Sequence, residues 1–197
     1  MEDFINNYFQ DSVKSLEKVI ISKTIKSKII KTVDNLFKTF NNGNILLIAG
    51  NGGSAADAQH LAAELVVRYN KERKALPAIA LTTDSSIITA ASNDYSFEDI
   101  FARQVDAIGK ENDMLILFST SGNSLNVIKA ARVAKKKNIK TVLFTGEKQT
   151  SLYDIFDIEI NAPSYVTAYI QQCHLAIIHV ICSLIDQKYD KKNFNYE

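Results

Sequence analysis

Proline, glycine and cysteine are all scarce in this sequence. With 2 prolines and 7 glycines in 197 residues, no linker-like or low-complexity stretch interrupts the chain, so we expect one α/β domain over residues 1–197. The 2 cysteines, Cys173 and Cys182, lie in one predicted helix, too far apart along its axis to bond to each other. We expect both to be buried thiols in a protein of a reducing compartment.

Charge of one sign and long apolar runs are also missing. The net charge of +1 gives no electrostatic reason to expect nucleic acid or an acidic membrane surface as a partner. Polar residues interrupt the apolar runs before membrane-spanning length, and the acidic start Met1-Glu2-Asp3-Phe4 has no signal core. The composition therefore predicts a globular, cytoplasmic protein that binds neither nucleic acid nor membrane.

Helix-like and strand-like segments follow each other along the chain. Residues 3–40 have the apolar spacing of two helices, which end before Gly43. The order of the later segments predicts an α/β fold, an open parallel β-sheet with helices on both faces, in which residues 45–188 form the core and residues 1–41 add two helices. The predicted strands are Ile45–Ala49, Ala78–Thr82, Met114–Phe118, Thr141–Thr145 and Ile158–Ile160; the helices after them are Ser54–Tyr69, Ser96–Ile108, Ser124–Lys137 and Val166–Lys188.

Two polar loops of similar composition follow predicted strands, at the edge where open parallel sheets bind ligands. Their free N–H groups, the dipoles of the helices that follow and several hydroxyls favour a phosphorylated or polyhydroxylated ligand. Glycine and serine also serve chain geometry and capping in ordinary turns, but the presence of two such loops favours function. The loops are Gly50-Asn51-Gly52-Gly53-Ser54 and Ser119-Thr120-Ser121-Gly122-Asn123-Ser124.

The helix predicted after the first loop carries a polar stripe among Ala, Leu and Val residues. Ser54 is its expected N-cap. A solvated stripe is one interpretation, and an active-site wall is the other, because the stripe starts at the glycine-rich loop. His60 and Glu64, one turn apart, have the spacing of paired metal ligands. The residues of the stripe, which share one helical face, are Asp57, His60, Glu64 and Arg68.

The remaining two histidines of the chain lie in the C-terminal predicted helix. His174 and His179 have strongly apolar neighbours in the sequence. A histidine in such surroundings is commonly a hydrogen-bonded packing residue, so the pattern by itself leaves packing and catalysis open.

Taken in order along the chain, these motifs resemble the sugar isomerase (SIS) domain and, more narrowly, the phosphoheptose isomerase family. The resemblance covers nearly the whole chain. It implies a flavodoxin-like fold and a homotetramer whose sites are shared between subunits, with the helices of residues 1–41 packed in the oligomer. The segments that carry it are Gly50–Ser54, Asp57-x-x-His60-x-x-x-Glu64-x-x-x-Arg68-Tyr69, Asn93-Asp94-Tyr95, Ser119–Ser124 and Ile170-Gln171-x-x-His174-x-x-x-x-His179.

The family resemblance also implies an activity and a set of site residues. The activity is the aldose–ketose isomerisation of sedoheptulose 7-phosphate to D-glycero-D-manno-heptose 7-phosphate, with Glu64 and His179 as the catalytic pair and one zinc ion per subunit. The implied metal ligands are His60, Glu64, Gln171 and His179. The implied substrate-binding residues are Asn51, Gly52, Gly53, Ser54, Glu64, Arg68, Asn93, Asp94, Ser119, Thr120, Ser121, Ser124 and Gln171.

The chemistry suits these side chains but leaves one conflict. Moving a carbonyl between C1 and C2 needs a base for the carbon-bound proton, for which we select Glu64, and an acid/base group for the oxygens, for which we select His179. A carboxylate bound firmly to zinc is a poor base, so Glu64 does not easily fill both roles at once. Gln171 and His179 are ~12 Å apart along one helix, so we hypothesise that more than one subunit completes the site.

The sequence departs from the family pattern at three positions. Tyr169 and Gln172 stand where many members have arginine and glutamate, and Ser96 stands where glycine is frequent. The loss of a fixed charge at Tyr169 puts any phosphate contact there in question. By helical angle Gln172 is closer than Gln171 to the side of His179, but the motif selects Gln171.

Three other functions compete with this interpretation. Some SIS-domain proteins are non-catalytic adaptors, including one that binds a bacterial replication initiator, but an adaptor has no need of an acid/base pair. A related sugar-phosphate isomerase or sensor for another carbon-chain length stays open, because the loops recognise phosphate and hydroxyls generically. A dinucleotide-binding domain is weaker, because Gly50-x-Gly52-Gly53 lacks the full glycine spacing and an acidic ribose partner.

Overall fold

The computed structural model describes residues 1–147 and 154–189. Its helices and strands alternate after two N-terminal helices, and a short 3₁₀ turn, Phe97–Asp99, precedes α5. The helices are α1 (Glu2–Ile21), α2 (Lys23–Asn41), α3 (Gly53–Val66), α4 (Ser85–Asp94), α5 (Ile100–Ile108), α6 (Leu125–Lys136) and α7 (Thr167–Tyr189). The strands are β1 (Leu46–Gly50), β2 (Ala78–Ala80), β3 (Met114–Phe118), β4 (Lys140–Thr145) and β5 (Ile158–Asn161).

The strands form one parallel sheet in the order β2-β1-β3-β4-β5. All residues of β1 and β3 are buried, as expected for strands covered on both faces. The predicted open parallel sheet is therefore confirmed, and its order is that of flavodoxin-like folds. In this order β1 and β3 are neighbours, so the two polar loops that follow them leave the sheet side by side.

Alternate residues of the strands build two cores, one on each face of the sheet. Leu46 and Ile48 face the core that α2, α3 and α7 cover, whereas Leu47 and Ala49 face the core that α5 and α6 cover. The helices α3 and α7 therefore lie on the same face of the sheet and contact each other. This contact brings the polar stripe of α3 next to the histidine-bearing helix.

The two N-terminal helices pack differently. The helix α2 joins the core through Ile29, Val33 and Leu36, whereas α1 contacts α7 through only a few side chains, including Leu16 and Val19. The rest of the apolar face of α1 is exposed to solvent in the single chain. Its exposed members are Phe4, Ile5, Phe9, Val13, Ile20 and Ile21.

The structure corrects two expectations about α3. Ser54 is not the N-cap: the helix starts at Gly53, Gly52 caps it with a φ of 55°, and Ser54 is buried inside the first turn. Glycine adopts this left-handed conformation without strain, which serine does not. The helix also ends at Val66, so Arg68 lies in the segment after it rather than on the helical stripe.

One expectation about apolar runs is too strong. Among the described residues, α7 is long and apolar enough to cross a membrane, with a hydropathy of 1.5. Packing explains this composition, because α7 contacts α1, α2 and α3 and buries Ile177, Ile178 and Ile181. Helices in the core of a protein can be as long and as apolar as helices that span a membrane. Cys173 and Cys182, also in α7, are buried free thiols as expected, and burial raises their pKa to about 11 and about 12.

Candidate functional site

Two side-chain amides join the glycine-rich loop after β1 to the serine loop after β3. The Nδ2 atom of Asn51 donates to Oδ1 of Asn126 at 2.9 Å, and Nδ2 of Asn126 donates to Oδ1 of Asn51 at 2.8 Å. Asn126 lies in the first turn of α6 and is buried. The reciprocal pair fixes the two loops against each other and leaves their backbone N–H groups at one edge of the sheet.

The serine loop, residues 119–124, is held by hydrogen bonds within itself and to β4. The hydroxyls of Ser119 and Ser124 are 2.9 Å apart, and Ser124 is the N-cap of α6 without using its side chain to cap it. Ser121 accepts a hydrogen bond from the N–H of Asn123. The carbonyl of Thr120 accepts from the N–H of Gly146. The hydroxyls and the start of α6 together form a site suited to an anion.

Three predicted site residues meet in the groove between α3 and α7. The Nε2 atoms of His60 and His179 are 2.9 Å apart, and Nε2 of His60 is 3.5 Å from Oε1 of Glu64. The ring of Tyr69 stacks on His179, with centroids 5.6 Å apart. His60 and Glu64 are partly exposed, so the groove is open to solvent. This groove brings a carboxylate and two imidazoles within reach of one ligand, as acid/base chemistry requires.

The side chain of Gln171, a residue of α7, lies apart from this group and beside the start of α3. A Cβ atom added to Gly53 would lie 2.5 Å from Nε2 of Gln171, so the amide is in close contact with Gly53 and would have to shift to admit a larger residue there. Gly53 precedes His60 by about 10 Å of helix rise. The structure therefore places the amide of Gln171 beside the glycine-rich loop but does not bring it to His60, Glu64 and His179.

The groove has donors of the types that zinc prefers. The Nε2 atoms of His60 and His179 are 2.9 Å apart, and Nε2 of His60 is 3.5 Å from Oε1 of Glu64. Two ligands of a tetrahedral ion with bonds of about 2.0 Å are about 3.3 Å apart, which is close to both distances. Within residues 1–147 and 154–189, no group of three His, Cys, Asp or Glu side chains is arranged so that it could hold a metal ion, and an ion would have to open the hydrogen bond between His60 and His179. The donor types suit zinc, but within the described part of the single chain they are not arranged as a metal site.

The stripe of α3 begins with a carboxylate of unusual character. Asp57 is 9% exposed, its Oδ2 atom has no hydrogen-bond partner among the described residues, and burial raises its pKa to about 6. The neighbouring His60 opposes this rise by favouring the charged form. Asp57 is therefore a buried member of the stripe, which contradicts a fully solvated face.

Three predicted substrate-binding residues, Asn93, Asp94 and Arg68, form exposed contacts at or just after the C-terminal ends of α4 and α3. Asn93 donates to Asp94 at the exposed C-terminal end of α4. A cleft of about 410 Å³ lies beside Asp94 and extends towards Tyr95 and Arg103. Arg68 forms an exposed ion pair with Glu72 at 3.8 Å. The single chain thus brings together part of the predicted site and leaves these residues at its surface.

Tyr169 and Gln172, the two residues of α7 that depart from the family pattern, are explained by contacts with α1. The rings of Tyr169 and Tyr8 pack edge to face with centroids 5.0 Å apart, and burial raises the pKa of Tyr169. Gln172 accepts a hydrogen bond from the hydroxyl of Ser12. Both side chains therefore serve the contact with α1, and Gln171 is the glutamine that faces the loop.

Sequence reasoning missed several residues that build the site. Asn126 lies two residues after the serine loop, and its amide matches that of Asn51, which was the available signal. Asp186 is a carboxylate in the apolar helix α7, and a buried charge requires a partner. This was the available signal for its ion pair with Arg73. Tyr69 belongs to the motif, but nothing in the pattern predicted its stacking on His179.

Comparisons with known proteins agree with this geometry. The SIS domain family model matches residues 7–146. The phosphoheptose isomerase of Roseiflexus sp. (strain RS-1) is 50% identical over 81% of both chains, and that of Aneurinibacillus thermoaerophilus is 42% identical over 98% of both. A solved phosphoheptose isomerase from Francisella tularensis superposes with a TM-score of 0.89 at 37% identity, over 94% of this chain and 97% of that one. The chain therefore belongs to the SIS-domain family and, within it, to the phosphoheptose isomerases, which are sugar-phosphate isomerases.

Proposed function

We propose that this enzyme converts sedoheptulose 7-phosphate into D-glycero-D-manno-heptose 7-phosphate through an enediolate, the first step of ADP- or GDP-heptose biosynthesis. The observation that carries the proposal is the meeting of His60, Glu64 and His179 in one open groove of a phosphoheptose isomerase family member. A non-catalytic adaptor would have no physical need for an acid/base pair placed in this way.

The reaction requires four proton movements, which the groove residues can perform. Glu64 removes the proton from C1 of the ketose and returns it to C2, which turns the ketose into the aldose. His179 moves the proton from the oxygen on C1 to the oxygen on C2, with His60 as its hydrogen-bond partner. The serine loop holds the 7-phosphate through Ser119, Ser124 and the start of α6.

We propose a zinc ion at the same groove, held by His60, Glu64 and His179. Gln171, the fourth ligand that the family resemblance implies, lies beside Gly53 in the single chain, so we propose that another subunit supplies it. When bound, zinc would act as a Lewis acid that polarises the sugar carbonyl. Because coordination lowers the basicity of a carboxylate, a zinc-bound Glu64 would be a poor base, so its roles as ligand and as base would not coincide.

The separation of the loops from the groove supports a site shared between subunits. Gly53 and Glu64 are about 16 Å apart along α3. A seven-carbon phosphate is only roughly 10 Å long when extended, given C–C bonds of about 1.5 Å. We therefore propose that the serine loop of one subunit and the acid/base pair of another face the same substrate.

The exposed apolar face of α1 supports the same assembly. Its phenylalanine and isoleucine side chains form a patch of the kind that buries itself in protein interfaces. The partner is a second copy of the chain, and we propose a homotetramer in the cytoplasm that binds no nucleic acid and no membrane.

The decisive experiment offers the purified protein three ketose phosphates of different length. Sedoheptulose 7-phosphate, fructose 6-phosphate and ribulose 5-phosphate are incubated separately, and the aldose products are followed by NMR. We expect turnover of the seven-carbon substrate at a kcat/KM at least about tenfold above the others. Faster turnover of a shorter sugar would make the chain a different sugar-phosphate isomerase, and binding without turnover would favour the adaptor function.

A further inference from the structure

A buried ion pair joins the two helices that carry the proposed acid/base pair. Arg73 lies in the segment after α3, and Asp186 lies near the end of α7. The Nε atom of Arg73 donates to Oδ1 of Asp186 at 2.9 Å, with only 1% and 2% of the two side chains exposed. Two buried charges are costly unless further hydrogen bonds satisfy them, so their other contacts indicate what the pair holds in place.

The guanidinium of Arg73 holds the C-terminal end of α3. Its Nη2 atom donates to the carbonyl of Glu64 at 2.7 Å, and Nη1 donates to the carbonyl of Leu65 at 2.8 Å. These carbonyls belong to the last turn of the helix, where the helix itself supplies no donors, and a cation suits this end of the dipole. The contact fixes the backbone from which the carboxylate of Glu64 projects.

The carboxylate of Asp186 holds the segment that follows α3. Its Oδ2 atom accepts from the N–H of Asn70 at 2.8 Å and from the N–H of Lys71 at 3.0 Å. The residue before them, Tyr69, stacks on His179 with an angle of 23° between the rings. The carboxylate that pairs with Arg73 therefore also fixes the backbone that carries a ring against His179.

We propose that Arg73 and Asp186 are positioning residues, which hold Glu64 and His179 at the separation that proton transfer requires. The inference rests on the proposed function, because it concerns the acid/base pair of that reaction. His179 and Asp186 lie about two turns apart on one side of α7, where they contact His60, the neighbour of Glu64, and Arg73 respectively. A displacement of about 1 Å between reacting groups can cost about a hundredfold in rate.

The direct test is Arg73→Lys in the full-length protein. Lysine keeps the charge beside Asp186 but lacks the planar fork that reaches the carbonyls of α3. We expect kcat to fall at least about tenfold while KM for sedoheptulose 7-phosphate stays within about threefold. The control is Lys188→Met, which breaks the exposed ion pair of α7 with Asp34 and should leave both constants unchanged. A folded Arg73→Lys enzyme with wild-type kcat would overturn the proposal.

A second variant covers the case in which Arg73→Lys does not fold. Combining Arg73→Met with Asp186→Leu replaces both charges by apolar side chains, and such exchanges often preserve stability. If the pair only stabilises the fold, a folded double variant should turn over normally. We expect it to lose at least about tenfold in kcat, because nothing then holds the end of α3 to α7.

A readout without substrate separates this proposal from the proposed function. The ring-nitrogen shifts of His60 and His179, measured by NMR, should move in Arg73→Lys and stay unchanged in Lys188→Met. If the wild-type protein fails to convert sedoheptulose 7-phosphate, the proposed function is wrong, but these shifts still test the positioning. Unchanged shifts in folded Arg73→Lys would contradict it.

Discussion

The two histidines of α7 have opposite surroundings although they are close in sequence. His174 is 0% exposed, packs against the rings of Phe118 and Phe144, and its Nε2 atom donates to the carbonyl of Thr145 at 3.1 Å. Burial lowers the pKa of His174 to about 4, so it stays neutral at pH 7. His179, in contrast, faces His60 and solvent in the groove.

The difference follows from helical geometry rather than from residue type. The two positions are about 140° apart around α7, so one side chain faces the sheet and the other faces α3. A neutral imidazole with one nitrogen fixed to a backbone carbonyl is suited to packing, whereas an imidazole beside a carboxylate and a second imidazole is suited to moving protons. Four predictions can break or sharpen this contrast.

The largest effect is expected from Glu64→Gln, which removes the base but keeps the shape of the groove. We expect kcat to fall about a thousandfold, the range of a lost general base, with little change in KM. Steady-state kinetics with sedoheptulose 7-phosphate measures both constants. Glu17→Gln, an exposed change on α1, is the control, and a nearly normal rate in Glu64→Gln would exclude Glu64 as the base.

Substituting glutamine for each of the two histidines of α7 tests the contrast between His174 and His179 itself. We expect His179→Gln to lower kcat about a hundredfold at nearly unchanged melting temperature, because it removes the acid/base group. We expect His174→Gln to lower the melting temperature but leave kcat within about threefold, because it disturbs only packing. Equal losses of kcat in the two folded variants would show that the contrast has no functional meaning.

The serine loop should affect binding more than turnover. Ser119→Ala and Ser124→Ala each remove a hydroxyl offered to the charged phosphate, and about tenfold in KM corresponds to one such hydrogen bond. Kinetics of both variants is compared with Ser27→Ala, an exposed change on α2. If KM does not change in either loop variant, the phosphate lies elsewhere.

The smallest effect on activity is expected from the titration of His174, which should instead make the free energy of unfolding depend clearly on pH. Its pKa is about 4 in the folded chain and 6.5 in the unfolded reference, so the unfolded chain binds more protons between these values. The free energy of unfolding should therefore be highest above about pH 6.5 and fall by roughly 3 kcal/mol as the pH drops to about 4.

Denaturant titrations at several pH values measure this fall, with His174→Gln as the matched control. The variant has no imidazole at this position, so its stability should depend less steeply on pH over the same range. The same slope in both proteins would show that other groups, among them Asp57, determine the pH dependence.

Much of the fold could be predicted from local patterns. The apolar runs predicted the five strands of the part of the chain that the structure describes, and Met114–Phe118 was placed without error. The start of α3 was predicted wrongly, because serine usually caps helices, whereas here the tight turn at Gly52 takes that place. Burial on both faces followed from the alternation of strands and helices, whereas only the flavodoxin-like fold implied by the family resemblance indicated the strand order.

The site was harder to predict, because its contacts join distant parts of the sequence. The contact between His60 and His179 spans 119 positions, and that between Arg73 and Asp186 spans 113. Only the family resemblance indicated the contact between His60 and His179, and nothing in the sequence indicated that Arg73 is the partner of Asp186. The place of Gln171 beside Gly53 also depends on how α3 and α7 pack, which spacing along one helix does not contain.

The most direct test of the central claim is proton exchange during turnover. The purified enzyme is given sedoheptulose 7-phosphate in deuterated water, and the product is examined by NMR for deuterium at C2. If Glu64 transfers the proton through an enediolate, the aldose phosphate should carry deuterium at C2, and Glu64→Gln should form almost none. Aldose product without deuterium at C2 would contradict a proton transfer that exchanges with solvent.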